Sequence, residues 1–159
     1  MQNQNKLTKR TFSMGKNSKK DNTCKGCGEL FSLSPLLSRK IEVSFTSPDL
    51  SSQGGLLLMR EDEQQNGFIS RVADCIEDVR YQPFVQHSYY EMLQQRIYQI
   101  GAGYEDADDC DLLRTDNILK ICSGRTPEDD SLSSQPTMSR LENKLTDREL
   151  YRIGEVFLE

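Results

Sequence analysis

Apolar residues recur at helical spacing along most of the chain, and one short stretch alternates instead as a strand does. In KIEVSFT (40–46), Ile41, Val43 and Phe45 share one face against Glu42 and Ser44, the mark of a half-buried strand. No second alternating run lies within reach, so this strand is expected to have few partners or none. GGLLLMREDEQQNG then reads as a helix closed by Gly67. FISRVADCIED continues at helical spacing, with Phe68, Ile69, Val72, Ala73 and Ile76 on one side. Ser88 is placed to cap YYEMLQQRIYQIGAGY, the most apolar helix, through Met92, Leu93, Ile97 and Ile100.

Beyond Gly103 the pattern is of short helices with polar breaks. CDLLRTDNILKICSG offers core positions, Pro136 suits the first turn of the next helix, and Thr146 with Glu149 has capping-box spacing for a last one. The predicted fold is mainly α: several short helices, one N-terminal strand and a disordered basic leader. Its predicted core comprises Leu57, Val72, Ile76, Leu93, Ile97, Ile100, Leu113, Leu119, Leu141 and Ile153.

Composition changes this picture at the N-terminus. Only 35% of the 159 residues are hydrophobic and the mean hydropathy is −0.67, low for a chain packed throughout. Residues 1–23 are polar, basic and aperiodic, so they are read as disordered; the leader is drawn over 1–38, with Cys24 and Cys27, and a helical domain over 39–159. Residues 1–40 hold nine Lys or Arg against Asp21 and Glu29, a charge of +7, which leaves −12 on the remainder. A basic arm on an acidic body fits a polyanionic partner, nucleic acid above all. No run reaches the roughly 18 apolar residues of a membrane span and no signal-peptide pattern follows the basic start, so the expectation is a cytoplasmic protein without a membrane partner.

Four features invite chemistry. Glu105, Asp106, Asp108, Asp109 and Asp111 crowd one segment, yet they lack the glycine and terminal glutamate of a calcium loop. Acids just ahead of DLLRTDNILK suit the positive end of a helix dipole, and a structural junction is expected there. Cys24 and Cys27 in CKGCGELF make half of a tetrahedral zinc site with no second pair following, so they remain weak metal candidates. Cys75, Cys110 and Cys122 read as small buried hydrophobes, and His87, the single histidine, as a surface or cap-adjacent residue. Arg140, Lys144, Arg148 and Arg152 recur every four residues and are the candidate DNA contacts, although the capping signal at Thr146 predicts that a helix break splits them.

Three long segments in order, VSFTSPDLSSQGGLLLMRE, QRIYQIGAGYEDADDCDLLRTDNILK and SSQPTMSRLENKL with RELYRIG, resemble the N-terminal region of bacterial insertion-sequence transposases of the DDE class. The resemblance covers about residues 41–157. It implies a ribonuclease-H-like core following the last helix, where carboxylates hold two divalent cations for attack on a DNA phosphodiester. No position here matches those carboxylates, so no catalytic residue is assigned and no cofactor is expected in this chain. Magnesium or manganese is expected only with the missing core. The implied partners are DNA at insertion-element ends and full-length transposase or a second copy. A truncated, non-enzymatic regulator and a zinc-knuckle adaptor are the alternative readings.

Overall fold

The computed structural model describes residues 31–44 and 52–158. Residues 1–30, with Cys24 and Cys27, lie outside the described residues, as does Phe45. Two strands, β1 (Phe31–Leu36) and β2 (Arg39–Val43), precede seven helices: α1 (Leu56–Asn66), α2 (Phe68–Asp74), α3 (Tyr89–Gly101), α4 (Asp109–Leu113), α5 (Asn117–Cys122), α6 (Gln135–Lys144) and α7 (Asp147–Val156). A single 3-10 turn, Gln82–Phe84, interrupts the passage from α2 to α3. The mainly α expectation holds.

The strand does have a partner. β2 pairs antiparallel with β1, Phe31 opposite Val43 and Leu33 opposite Ile41, in a hairpin that crosses the boundary drawn by composition at 38/39. FSLSPL hides its alternation because Pro35 falls inside it. The register shifts between Leu33 and Leu36, a bulge that accommodates a residue unable to donate to a ladder. The turn also lacks the usual glycine or asparagine: Leu37 itself takes a left-handed φ of 53°.

The helix boundaries follow local rules. Gly67, at φ 62°, ends α1 and opens α2, a conformation that a side chain would strain. Glu63, inside the body despite its polar neighbours, accepts from Ile69 N at 2.7 Å and Ser70 N at 3.0 Å, capping α2 from the preceding helix. Ser88 caps α3 through Glu91 N, Pro136 sits in the first turn of α6, and Thr146 with Glu149 closes a reciprocal capping box on α7. All three signals were legible in sequence.

α3 is the central helix, packed against α1, α2, α5 and α6. It contributes Tyr98 to one core cluster, with Leu56, Leu57, Ile69 and Leu119, and Tyr89 and Met92 to a second, with Ile76, Met138 and Leu141. One core expectation is corrected: Ile100 is 49% exposed. The buried residues of α3 are instead Tyr89, Met92, Gln94, Gln95, Tyr98 and Gln99, so three glutamines are buried where periodicity favoured Ile97 and Ile100. Ile97 is half-buried against the first cluster.

Glu149 ties α7 to the rest of the body. Its carboxylate accepts from Thr146 N at 2.9 Å and Thr146 Oγ1 at 2.7 Å, and also from Glu77 N, beyond the end of α2, at 3.0 Å. These donors, the Thr146 backbone first, lower its pKa from 4.5 to about 2. A carboxyl depressed on folding contributes stability above its unfolded pKa, and that contribution is lost as pH falls through the folded value. Melting temperature should therefore drop between pH 4.5 and about 2, and Glu149→Gln should remove this part of the pH profile. Parallel profiles for the two proteins would show that the capping box is not made.

Candidate nucleic-acid interface

The break at Thr146 separates the four candidate cations onto two helices, and their surroundings differ. Arg140 on α6 and Arg148 on α7 are exposed and have no hydrogen-bond or ionic partner among the described residues. Lys144 is half-buried: its ammonium donates to the Glu77 carbonyl and, at 3.0 Å, to Tyr89 Oη, and lies 4.5 Å from the Tyr89 ring centre. Arg152 reaches the Asp74 carbonyl at 3.4 Å. Lys144 and Arg152 thus latch α6 and α7 onto the segment from Asp74 to Tyr89, while Arg140 and Arg148 remain available.

Most other arginines and lysines are engaged within the body. Arg96 pairs with Glu142, Arg125 with Glu91, and Arg39 with Glu128. Lys120 donates to the carbonyls of Pro127 and Asp129. Arg80 grips both oxygens of Asp78, at 2.7 and 2.6 Å, donates to the His87 carbonyl and stacks 3.8 Å over the Tyr89 ring. The Arg80 hydrogen bonds hold the Asp78 carboxyl well below the usual carboxylate range. Tyr89 therefore meets two cations, and this cluster anchors the loop that carries the 3-10 turn.

That loop and α6 border a groove of about 370 Å³. Arg80, Arg114 and His87 line it, together with Ser134 at the start of α6, Thr137 within it and the rings of Tyr81 and Phe84. Thr137, Arg140 and Lys144, spaced by three and four, share the flank of α6 beside it. Arg114 donates to Ser131 Oγ at 3.2 Å and stands 3.8 Å from Asp111, too far for a hydrogen bond.

The acid cluster behaves as the helix junction that sequence suggested. Asp109 and Asp111 occupy the first turn of α4, and Asp111 also accepts from Gln135 N, covering the α6 N-terminus. Among the described residues no three His, Cys, Asp or Glu side chains gather to hold a metal ion. The described residues do not fit a two-metal centre. Cys75, Cys110 and Cys122 are buried, as expected; burial pushes the Cys122 thiol up to about 12. His87 precedes the α3 cap, with Nδ1 3.0 Å from Glu91 and 3.1 Å from Arg125. Burial acts to raise the Glu91 carboxyl, but His87 and Arg125 outweigh it and the net shift is downward. Among the described residues, no helix is long and apolar enough to cross a membrane.

A helical body with unpaired arginines around the α6–α7 break fits a protein that handles DNA. Residues 33–159 match the family model of the transposase DDE domain, group 1, and the chain belongs to that family. Its function is transposase-related, and DNA is the partner that membership implies. No curated protein and no solved structure matches the chain.

The sequence reading did not find the groove. Tyr81 caps the 3-10 turn that holds Phe84, but Arg114 and Thr137 come from distant segments, and their convergence on that turn depends on how the helices pack.

Proposed function

We propose that this chain is the DNA-engaging helical part of a DDE transposase, holding insertion-element DNA without supplying the catalytic carboxylates. The observation that carries the reading is the pair Arg140 and Arg148, accessible and unpartnered on either side of the α6–α7 break in an otherwise acidic body. Phosphate contacts need only cations at the right height along a duplex, and these two supply them without breaking an internal bond. The +7 of residues 1–40 adds a sequence-independent attraction. Lys144, by contrast, acts mainly as the latch that fixes α6. The spread of the acid cluster over a helix junction supports the absence of a catalytic role for it.

Salt titration of duplex binding tests this. Each lost phosphate contact should reduce the slope of log affinity against log salt by about 0.9. Arg140→Ala and Arg148→Ala should each show that reduction, and deletion of residues 1–23 a larger one. Slopes unchanged from wild type in both arginine variants would overturn the assignment.

A further inference from the structure

We propose that the groove between the 3-10 turn and α6 receives an unstacked nucleotide of a DNA strand, its base on Tyr81 and Phe84 and its phosphate at Arg114. The inference rests on the DNA-engaging reading and specifies the form of DNA that this site takes. Tyr81 and Phe84 are 70% and 84% exposed, large rings that bury little against their own body. They nevertheless touch each other, with centroids 5.5 Å apart and planes tilted by 41°. Their backbone is fixed: Phe84 N donates to Tyr81 O and Val85 N to Gln82 O, Pro83 stiffens the turn, and Arg80 closes the loop through Asp78 and the His87 carbonyl. A rigid aromatic platform costs little to order when a base stacks on it.

Charge selects the occupant. The groove lining contains two arginines and a histidine and no carboxylate, within a body of net negative charge. Asp78 neutralises Arg80 at hydrogen-bond distance, whereas Asp111 stands 3.8 Å from Arg114 and makes no hydrogen bond to it, which leaves Arg114 as the cation more open to a phosphate. Ser134 and Thr137, their hydroxyls 3.1 Å apart, offer hydrogen bonds to a sugar or base edge. The α6 N-terminus is not the anion site, because Asp111 already occupies Gln135 N. In a paired duplex the base faces are stacked on their neighbours, so such a platform favours a single strand or an opened end.

The test is anisotropy titration of the full chain with a labelled oligothymidine and, separately, a labelled duplex. Tyr81→Ala and Phe84→Ala should each weaken oligothymidine binding by about 5- to 150-fold and leave duplex binding unchanged. Arg114→Ala should lower the single-strand salt slope by about 0.7. Both rings are exposed, so the variants should melt as wild type does. Aromatic variants that bind oligothymidine like wild type, or that lose both DNA forms in equal proportion, would overturn the nucleotide site. If wild type binds duplex with a salt dependence that Arg140→Ala reduces while the aromatic variants change nothing, the DNA-engaging reading stands and this inference falls. A wild-type chain that binds neither form overturns both.

Discussion

Arg60→Met should destabilise the protein by about 3–5 kcal/mol, the cost of breaking a buried ion pair from one side. Arg60 is 3% exposed, and its guanidinium donates to Ser34 O at 2.9 Å and Pro35 O at 3.1 Å while contacting Glu61 at 3.1 Å. Glu61 in turn accepts from Ser34 N at 2.8 Å and Ser34 Oγ at 2.7 Å. These two side chains serve the backbone groups of Ser34 and Pro35, which the bulge shifts out of ladder register. Methionine fills similar volume but leaves both carbonyls and the Glu61 carboxylate uncompensated. Arg60→Lys should recover little, because an ammonium lacks the planar fork that spans two carbonyls. Urea denaturation followed by circular dichroism reads the loss, and a change below about 1 kcal/mol would show that the hairpin stands without the clamp.

That clamp gives physical content to GGLLLMRE, one of the segments on which the family resemblance rested. Leu56 and Leu57 enter the core, while Arg60 and Glu61 hold the hairpin bulge. The sequence could not disclose the second part, since adjacent charges on a helix ordinarily read as a solvated face. Local devices were legible for the opposite reason. Ser88, Pro136 and the Thr146–Glu149 box act within a few residues of themselves, so spacing alone identifies them. β1 escaped notice because Pro35 and an unconventional turn at Leu37 mask its alternation. The candidate site was half legible. Four cations and a helix break could be read from spacing, but not that Lys144 finds a buried ring and a carbonyl, and Arg152 a carbonyl, in distant segments.

Gln95→Leu should cost about 2–5 kcal/mol, because it strands two buried backbone groups at about 1–3 kcal/mol each. Gln95 is fully buried on α3. Its amide donates to Ser133 O and its carbonyl accepts from Ser133 N, both at 2.9 Å, as a neighbouring strand would. The chain before α6 runs through the interior here: Leu132 is fully buried in the first core cluster, and its N–H donates to Arg114 O at 2.9 Å. A buried irregular segment requires polar side chains beside it, which is why α3 turns glutamines inward and leaves Ile100 outside. Leucine would improve the apolar pattern of the helix and still destabilise the fold. Gln95→Glu gives a second, signed test. Its carboxyl must stay protonated to donate to Ser133 O, so its folded pKa is raised, and the variant should lose stability as pH rises from about 4 through that raised value. Ser133 adjoins the Ser134 cap of α6, so opening this segment should also loosen the flank that presents Arg140. In Gln95→Leu, duplex affinity should fall together with hydrogen-exchange protection at Met138 and Leu141. Full protection of those amides alongside unchanged stability would show that the loop does not depend on Gln95.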